Sequence, residues 1–155
     1  MAGKIDARLA ELGIELPEAA VPVANYVAYA ISGNIVHVAG QLPMENGAVK
    51  YVGIVGDEVS VDDGVAAAHL CALNIIAQVK AACGGDLDRV VRVLKLNGFV
   101  NAPAGFADQP AVINGASNLM VEVFGDAGKH ARSAVGMGSL PFNASVEIDA
   151  IVEIN

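Results

Sequence analysis

Hydrophobic positions change their period several times along the chain, and each change marks an element. Ile5, Leu9 and Leu12 recur at helical spacing over residues 5–12, and Gly13 closes that helix. Leu16-Pro17 and Val21-Pro22 then force extended backbone, so residues 1–16 form an N-terminal helical extension. Residues 26–31 and 35–39 read as strands, with Ser32-Gly33-Asn34 supplying hairpin turn chemistry between them. Asn46-Gly47 marks a further turn ahead of a short strand at 49–52. Ser60 followed by Asp63 resembles a capping box, and Val65, His69, Ala72, Ile76 and Val79 carry a long helix over 61–83, stopped by Gly84-Gly85. The near-continuous apolar run at 89–100 predicts a strand covered on both faces. A second long helix spans 110–124. Two final strand-like runs, 131–135 and 145–153, are joined by residues 136–143 and read as an antiparallel pair.

The order hairpin, helix, strand, helix, hairpin predicts one α+β domain over residues 1–155: a two-layer sandwich with a mixed or antiparallel sheet and two long helices on one face. No helix is left for the second sheet face, which also reads as apolar. A homo-oligomer packed sheet to sheet is the expected cover. Composition points the same way, with 54% hydrophobic and only 17% charged residues among 155. The net charge is −8 and the nine basic residues form no run, which argues against nucleic acid as a partner. There is no signal-like N-terminus and no apolar run near ~20 residues, so a cytoplasmic protein with no membrane partner is expected. Cys71 and Cys83 fall in one predicted helix about 18 Å apart, too far to bridge, and read as buried thiols.

Candidate chemistry centres on Arg132, at the head of one terminal run, and Glu147, inside the other. A guanidinium presents a fork of donors that matches a carboxylate, and a nearby glutamate can hold a water or take a proton. The plainer alternative is a cross-strand ion pair on a solvated face. His37, His69 and His130 show no ligand spacing, so no metal site is expected. Ser117 and Ser139 have no accompanying His-Asp pair in the sequence and read as ordinary polar residues.

Ala131-Arg132-Ser133-x-Val135, then Gly138, Leu140 and Val146-Glu147-Ile148, resembles the C-terminal signature of the YjgF/RidA family, also labelled L-PSP endoribonuclease. Upstream, Tyr26, Gly33-Asn34-Ile35-Val36 and Gly40-Gln41-Leu42-Pro43 look like that family's first hairpin, so the resemblance covers nearly the whole chain after Leu16. It implies a chorismate-mutase-like fold and a homotrimer with clefts between subunits. It implies hydrolytic deamination of reactive 2-imino or enamine acids to 2-keto acids and ammonia, without metal or organic cofactor. By that resemblance Arg132 clamps the substrate carboxylate and Glu147 holds or activates water. Tyr26, Gly40, Asn114 and Ser133 would line the cleft. Four features depart from the family pattern: His130 where Pro or Ala is usual, Ala134 where Cys is common, Ala39 where Ser or Thr is common, and a longer stretch at 106–114. A small-carboxylate-binding trimer without turnover and an endoribonuclease are the competing readings.

Overall fold

A computed structural model describes residues 2–155. A short helix, α1 (Lys4–Glu11), precedes an extended segment and the hairpin β1 (Tyr29–Ser32) and β2 (Ile35–Gln41). A two-residue pair, β3 (Met44–Glu45) and β4 (Ala48–Val49), leads to the long helix α2 (Val61–Ala82). Strand β5 (Val90–Asn101), helix α3 (Gln109–Phe124), and strands β6 (Ala131–Met137) and β7 (Val146–Ile154) complete the chain. The five long strands form one sheet in the order β1-β2-β7-β5-β6. Helices α2 and α3 lie together on one face, giving the two-layer α+β sandwich.

Local chemistry explains the long helices. The Ser60 hydroxyl accepts from the Asp63 N–H at 3.1 Å, and Asp62 and Asp63 complement the positive helix end. Ala67, Ala68, Cys71, Ala72, Ile75, Ile76 and Val79 bury the inner face of α2 against the sheet residues Val36, Val38, Leu96, Val146, Ile148 and Ala150. That helix is long and apolar enough to cross a bilayer, but its apolar face is occupied by this packing. Gly115 lets α3 approach α2, since a side chain there would collide with the Val65 carbonyl. Buried Asn74 donates to the carbonyls of Leu42 (3.3 Å) and Met44 (3.0 Å), and buried Gln78 donates to that of Ala20 (2.8 Å). These side chains tie the irregular segments to α2.

Four expectations are corrected. The terminal runs are strands but not partners: β5 lies between them, parallel to β6 and antiparallel to β7. The cause is the connection through α3, a crossover that returns the chain parallel to β5, after which residues 138–145 carry it past the end of β5. Alternation predicts a strand but does not choose its neighbour. The helix-free sheet face is also mixed rather than apolar, carrying His37, Lys95, Asn97, Glu147 and Asp149 beside Phe99, Val135 and Ile151. The first strand begins at Tyr29, leaving Tyr26 ahead of it, and the short strand expected at 49–52 is only the β4 end of a tiny hairpin.

Candidate functional site

Strand register fixes the face of each candidate residue. Arg132 stands opposite Leu96, which is fully buried beneath the helices, so Arg132 points to the helix side of the edge strand β6. There its Nη1 donates to Asn114 Oδ1 at 2.7 Å and to Ser117 Oγ at 3.2 Å. Asn114 and Ser117 are three residues apart on α3, so one helix face presents both. Among the described residues, Nε and Nη2 have no hydrogen-bond partner, and no carboxylate lies within 4.0 Å of the guanidinium. One edge of the fork is held and the other is open.

The chain of contacts continues to His130. Its Nε2 lies 2.9 Å from Ser117 Oγ and its Nδ1 lies 2.6 Å from the Gly128 carbonyl oxygen. A carbonyl only accepts, so Nδ1 carries a hydrogen; in the neutral ring Nε2 is then a lone pair that accepts the Ser117 hydroxyl. An open cavity of about 300 Å³ is lined by Ser117, Asn118, Val121, Lys129, His130 and Arg132.

Glu147 belongs to the other face. It pairs in register with Phe99, three residues and therefore an odd number of strand positions from Leu96, and so faces away from the helices. Gly40 sits against it at the irregular end of β2: a Cβ at Gly40 would stand 2.7 Å from Glu147 Oε1, so a side chain there would displace the carboxylate from this position. Glu147 is half-buried, and burial, followed by the charge of Asp149, raises its pKa above the ordinary glutamate value. Asp149 is itself held by Asn97 Nδ2 at 2.6 Å.

The structure therefore brings Arg132 to Asn114 and Gly40 to Glu147, and keeps the two groups apart. The expected meeting of Arg132 and Glu147 across a strand pair does not occur within a protomer, because β5 separates their strands and they point to opposite faces. The plainer ion-pair alternative fails for the same reason. Ser133 lies opposite Asn97, on the face away from the Arg132 side chain. Tyr26 is 61% exposed ahead of β1, within an apolar stretch that also exposes Val21, Val23 and Val27. Ser117, read from the sequence as an ordinary polar residue, and His130, noted there as a departure from the family pattern and not as a metal ligand, are Arg132's own network. One signal was available: residues 130, 132 and 134 share a parity along the chain, and Ala134 occupies the same face as Arg132 opposite Gly98.

Residues 6–154 match a family described as "YjgF/chorismate mutase-like, putative endoribonuclease". The chain is 51% identical over 154 residues to Protein TCP17 of Trypanosoma cruzi, an alignment covering 99% of this chain and 96% of that one. It is 34% identical over 142 residues to a 2-iminobutanoate/2-iminopropanoate deaminase of Dermatophagoides farinae, covering 91% of this chain and 94% of the relative. A crystal structure of Atu1372 from Agrobacterium tumefaciens, a protein of unknown function, superposes with a TM-score of 0.91 at 60% identity, covering 97% of this chain and 92% of that one.

Proposed function

The chain belongs to the YjgF/chorismate mutase-like family, and from that membership we propose that it hydrolyses small 2-imino or enamine acids to 2-keto acids and ammonia. The observation that carries this reading is the half-held guanidinium. Asn114 and Ser117 occupy Nη1, which leaves Nε and Nη2 as a parallel donor pair for a carboxylate. A substrate fixed there by its carboxylate presents an imine carbon at a set distance, so orientation supplies much of the rate. Water adds to that carbon, the carbinolamine collapses, and the nitrogen leaves as ammonia after taking up a proton. Glu147 suits the proton transfers, since its raised pKa brings it closer to neutrality than an ordinary glutamate.

Within one protomer Arg132 and Glu147 cannot serve one substrate. The reading therefore includes a homotrimer in which the β6 edge of one protomer meets the open sheet face of the next. Arg132 and Asn114 would come from the first, and Glu147, Gly40 and Tyr26 from the second, with Ser133 at the seam. The relative from Dermatophagoides farinae, named for turnover of 2-iminobutanoate and 2-iminopropanoate, supports this reaction class. One observation favours a second reading, carboxylate binding without turnover: Ala134, beside Arg132 on the same face, brings no ionisable group to the site.

The test is release of pyruvate and ammonia from 2-iminopropionate generated in situ by an amino-acid oxidase. Arg132→Ala is expected to lower turnover at least ~100-fold, and Arg132→Lys to recover little, because an ammonium has no fork. Parental turnover in Arg132→Ala would overturn the assignment. Absence of turnover in the parent, with pyruvate still bound, would select the second reading.

A further inference from the structure

We propose that His130, acting through Ser117, is a titratable positioning residue of the Arg132 site, so that capture of a small carboxylate is coupled to uptake of a proton by this histidine. The inference rests on the reading of Arg132 as the carboxylate anchor.

Three contacts build the device. The Gly128 carbonyl fixes Nδ1–H and aims Nε2 at the Ser117 hydroxyl. Ser117 Oγ sits between the histidine and the guanidinium, 2.9 Å from one and 3.2 Å from the other, which places Nε2 within about 6 Å of Nη1. Asn114 holds the same Nη1 from its other side. A hydroxyl oxygen has two acceptor sites and one hydrogen. With neutral His130 it donates to Nε2 and accepts from Arg132. With charged His130 it accepts from both and turns its hydrogen elsewhere. Arg132 thus keeps its orientation in either state, and the state changes only the charge behind it.

The sign follows from the charges that face His130. Arg132 lies across Ser117, and Lys129 lines the same cavity with its ammonium paired to Asp126 at 3.1 Å. Within one protomer no carboxylate pairs with His130 or Arg132 among the described residues, and the Glu147 that the proposed seam would bring to the cleft is the same in the parent and in a His130 variant. In the empty site the guanidinium opposes a second positive charge nearby. A bound carboxylate neutralises Arg132 and removes that opposition. Protonated His130 in turn adds a cation behind the anion. At this separation in a partly solvated site the coupling is about three- to tenfold in affinity. By linkage, the same factor must describe how far the bound carboxylate favours the charged histidine.

The experiment measures pyruvate affinity of the full-length protein by calorimetry between pH 5.5 and 8, for the parent, His130→Gln and Arg132→Ala. Glutamine keeps a hydrogen-bonding side chain beside Ser117 but does not titrate. The parent should bind pyruvate about three- to tenfold more tightly at pH 5.5 than at pH 8, with a net proton uptake that varies with buffer ionisation enthalpy. His130→Gln should lose the gain of about three- to tenfold at pH 5.5 and bind near the parent's pH 8 affinity, any pH dependence that remains belonging to Glu147. Binding to the parent with a pH dependence identical to that of His130→Gln would overturn this inference and leave the carboxylate anchor intact. Equal affinity in parent and Arg132→Ala, or no binding to the parent, would overturn the anchor and the inference together.

Discussion

A glutamate that is half-covered and shares its strand face with an aspartate two residues on pays for its charge in the folded state, and Glu147 is that residue. Burial is the larger cause and Asp149 the smaller, and both act against ionisation. The linkage has a definite sign. In the unfolded chain Glu147 ionises at its ordinary value, whereas in the fold it ionises later. The folded state is therefore favoured most at pH below the ordinary glutamate range, and that advantage fades as pH rises through the raised value. Glu147→Gln removes the charge without removing the volume. Its thermal midpoint is expected above the parent's at pH 7.5, with the gap closing as the pH approaches 4. An equal or lower midpoint at pH 7.5 would show that Glu147 has a compensating partner. The same substitution should abolish turnover, so the residue's liability to the fold and its use in the reaction have one origin. Gly40 contributes by omission, since any side chain there would press on the carboxylate and push it from its place.

At the level of elements, the first helix shows how a segment with little intrinsic stability is fastened. Gly3 at its N-cap offers no side-chain acceptor, and the carboxylate of Asp88, far along the chain, accepts from the Lys4 and Ile5 N–H groups at 2.8 Å each. Those two bonds lower the pKa of Asp88. The depressed value means that the contribution is present above the ordinary aspartate pKa and lost as pH falls through the lowered one. Amides of α1 in Asp88→Asn should exchange with solvent faster than in the parent at pH 7, and the difference should persist through the ordinary aspartate range and vanish only as pH falls through the lowered value and the parent's carboxylate protonates. Unchanged exchange at pH 7 would mean that the Lys80–Asp6 ion pair and burial of Leu9 suffice. This remote cap was not legible in the sequence, where nothing links Asp88 to a helix start 84 residues earlier. The contrast with α2 is instructive: its cap is three residues away and its period is strong, so Ser60 and the long helix were legible together. The same divide runs through the sheet. Residues 89–100 announced a strand by being apolar on both faces, yet which strands flank it depends on the α3 crossover, a non-local choice. The site inherits the problem, because Arg132 and Glu147 were legible as residues while their opposite faces emerged only from the register with β5.

For the molecule as a whole, the opposite faces of Arg132 and Glu147 make an oligomer a requirement of the proposed reaction. A site that takes Arg132 from one protomer and Glu147 from the next must exist at every seam of a closed ring and nowhere in a single chain. That arrangement makes a prediction about mixtures that no single-chain site can meet. Arg132→Ala and Glu147→Gln subunits, each inactive alone, are unfolded together in equal amounts and refolded. In a three-membered ring with random composition, a seam is intact when a subunit retaining Arg132 precedes one retaining Glu147, which holds for about one seam in four. Turnover should recover to about a quarter of the parental value per subunit, and a doubly substituted chain refolded with parent should instead dilute it. Simple mixing of the folded variants should restore nothing until subunits exchange, which ties the recovery to the seam and not to a contaminant. If co-refolding leaves the mixture inactive while each variant still assembles, the two side chains do not share a cleft, and Arg132 must find its proton-transfer partner on its own side of the sheet.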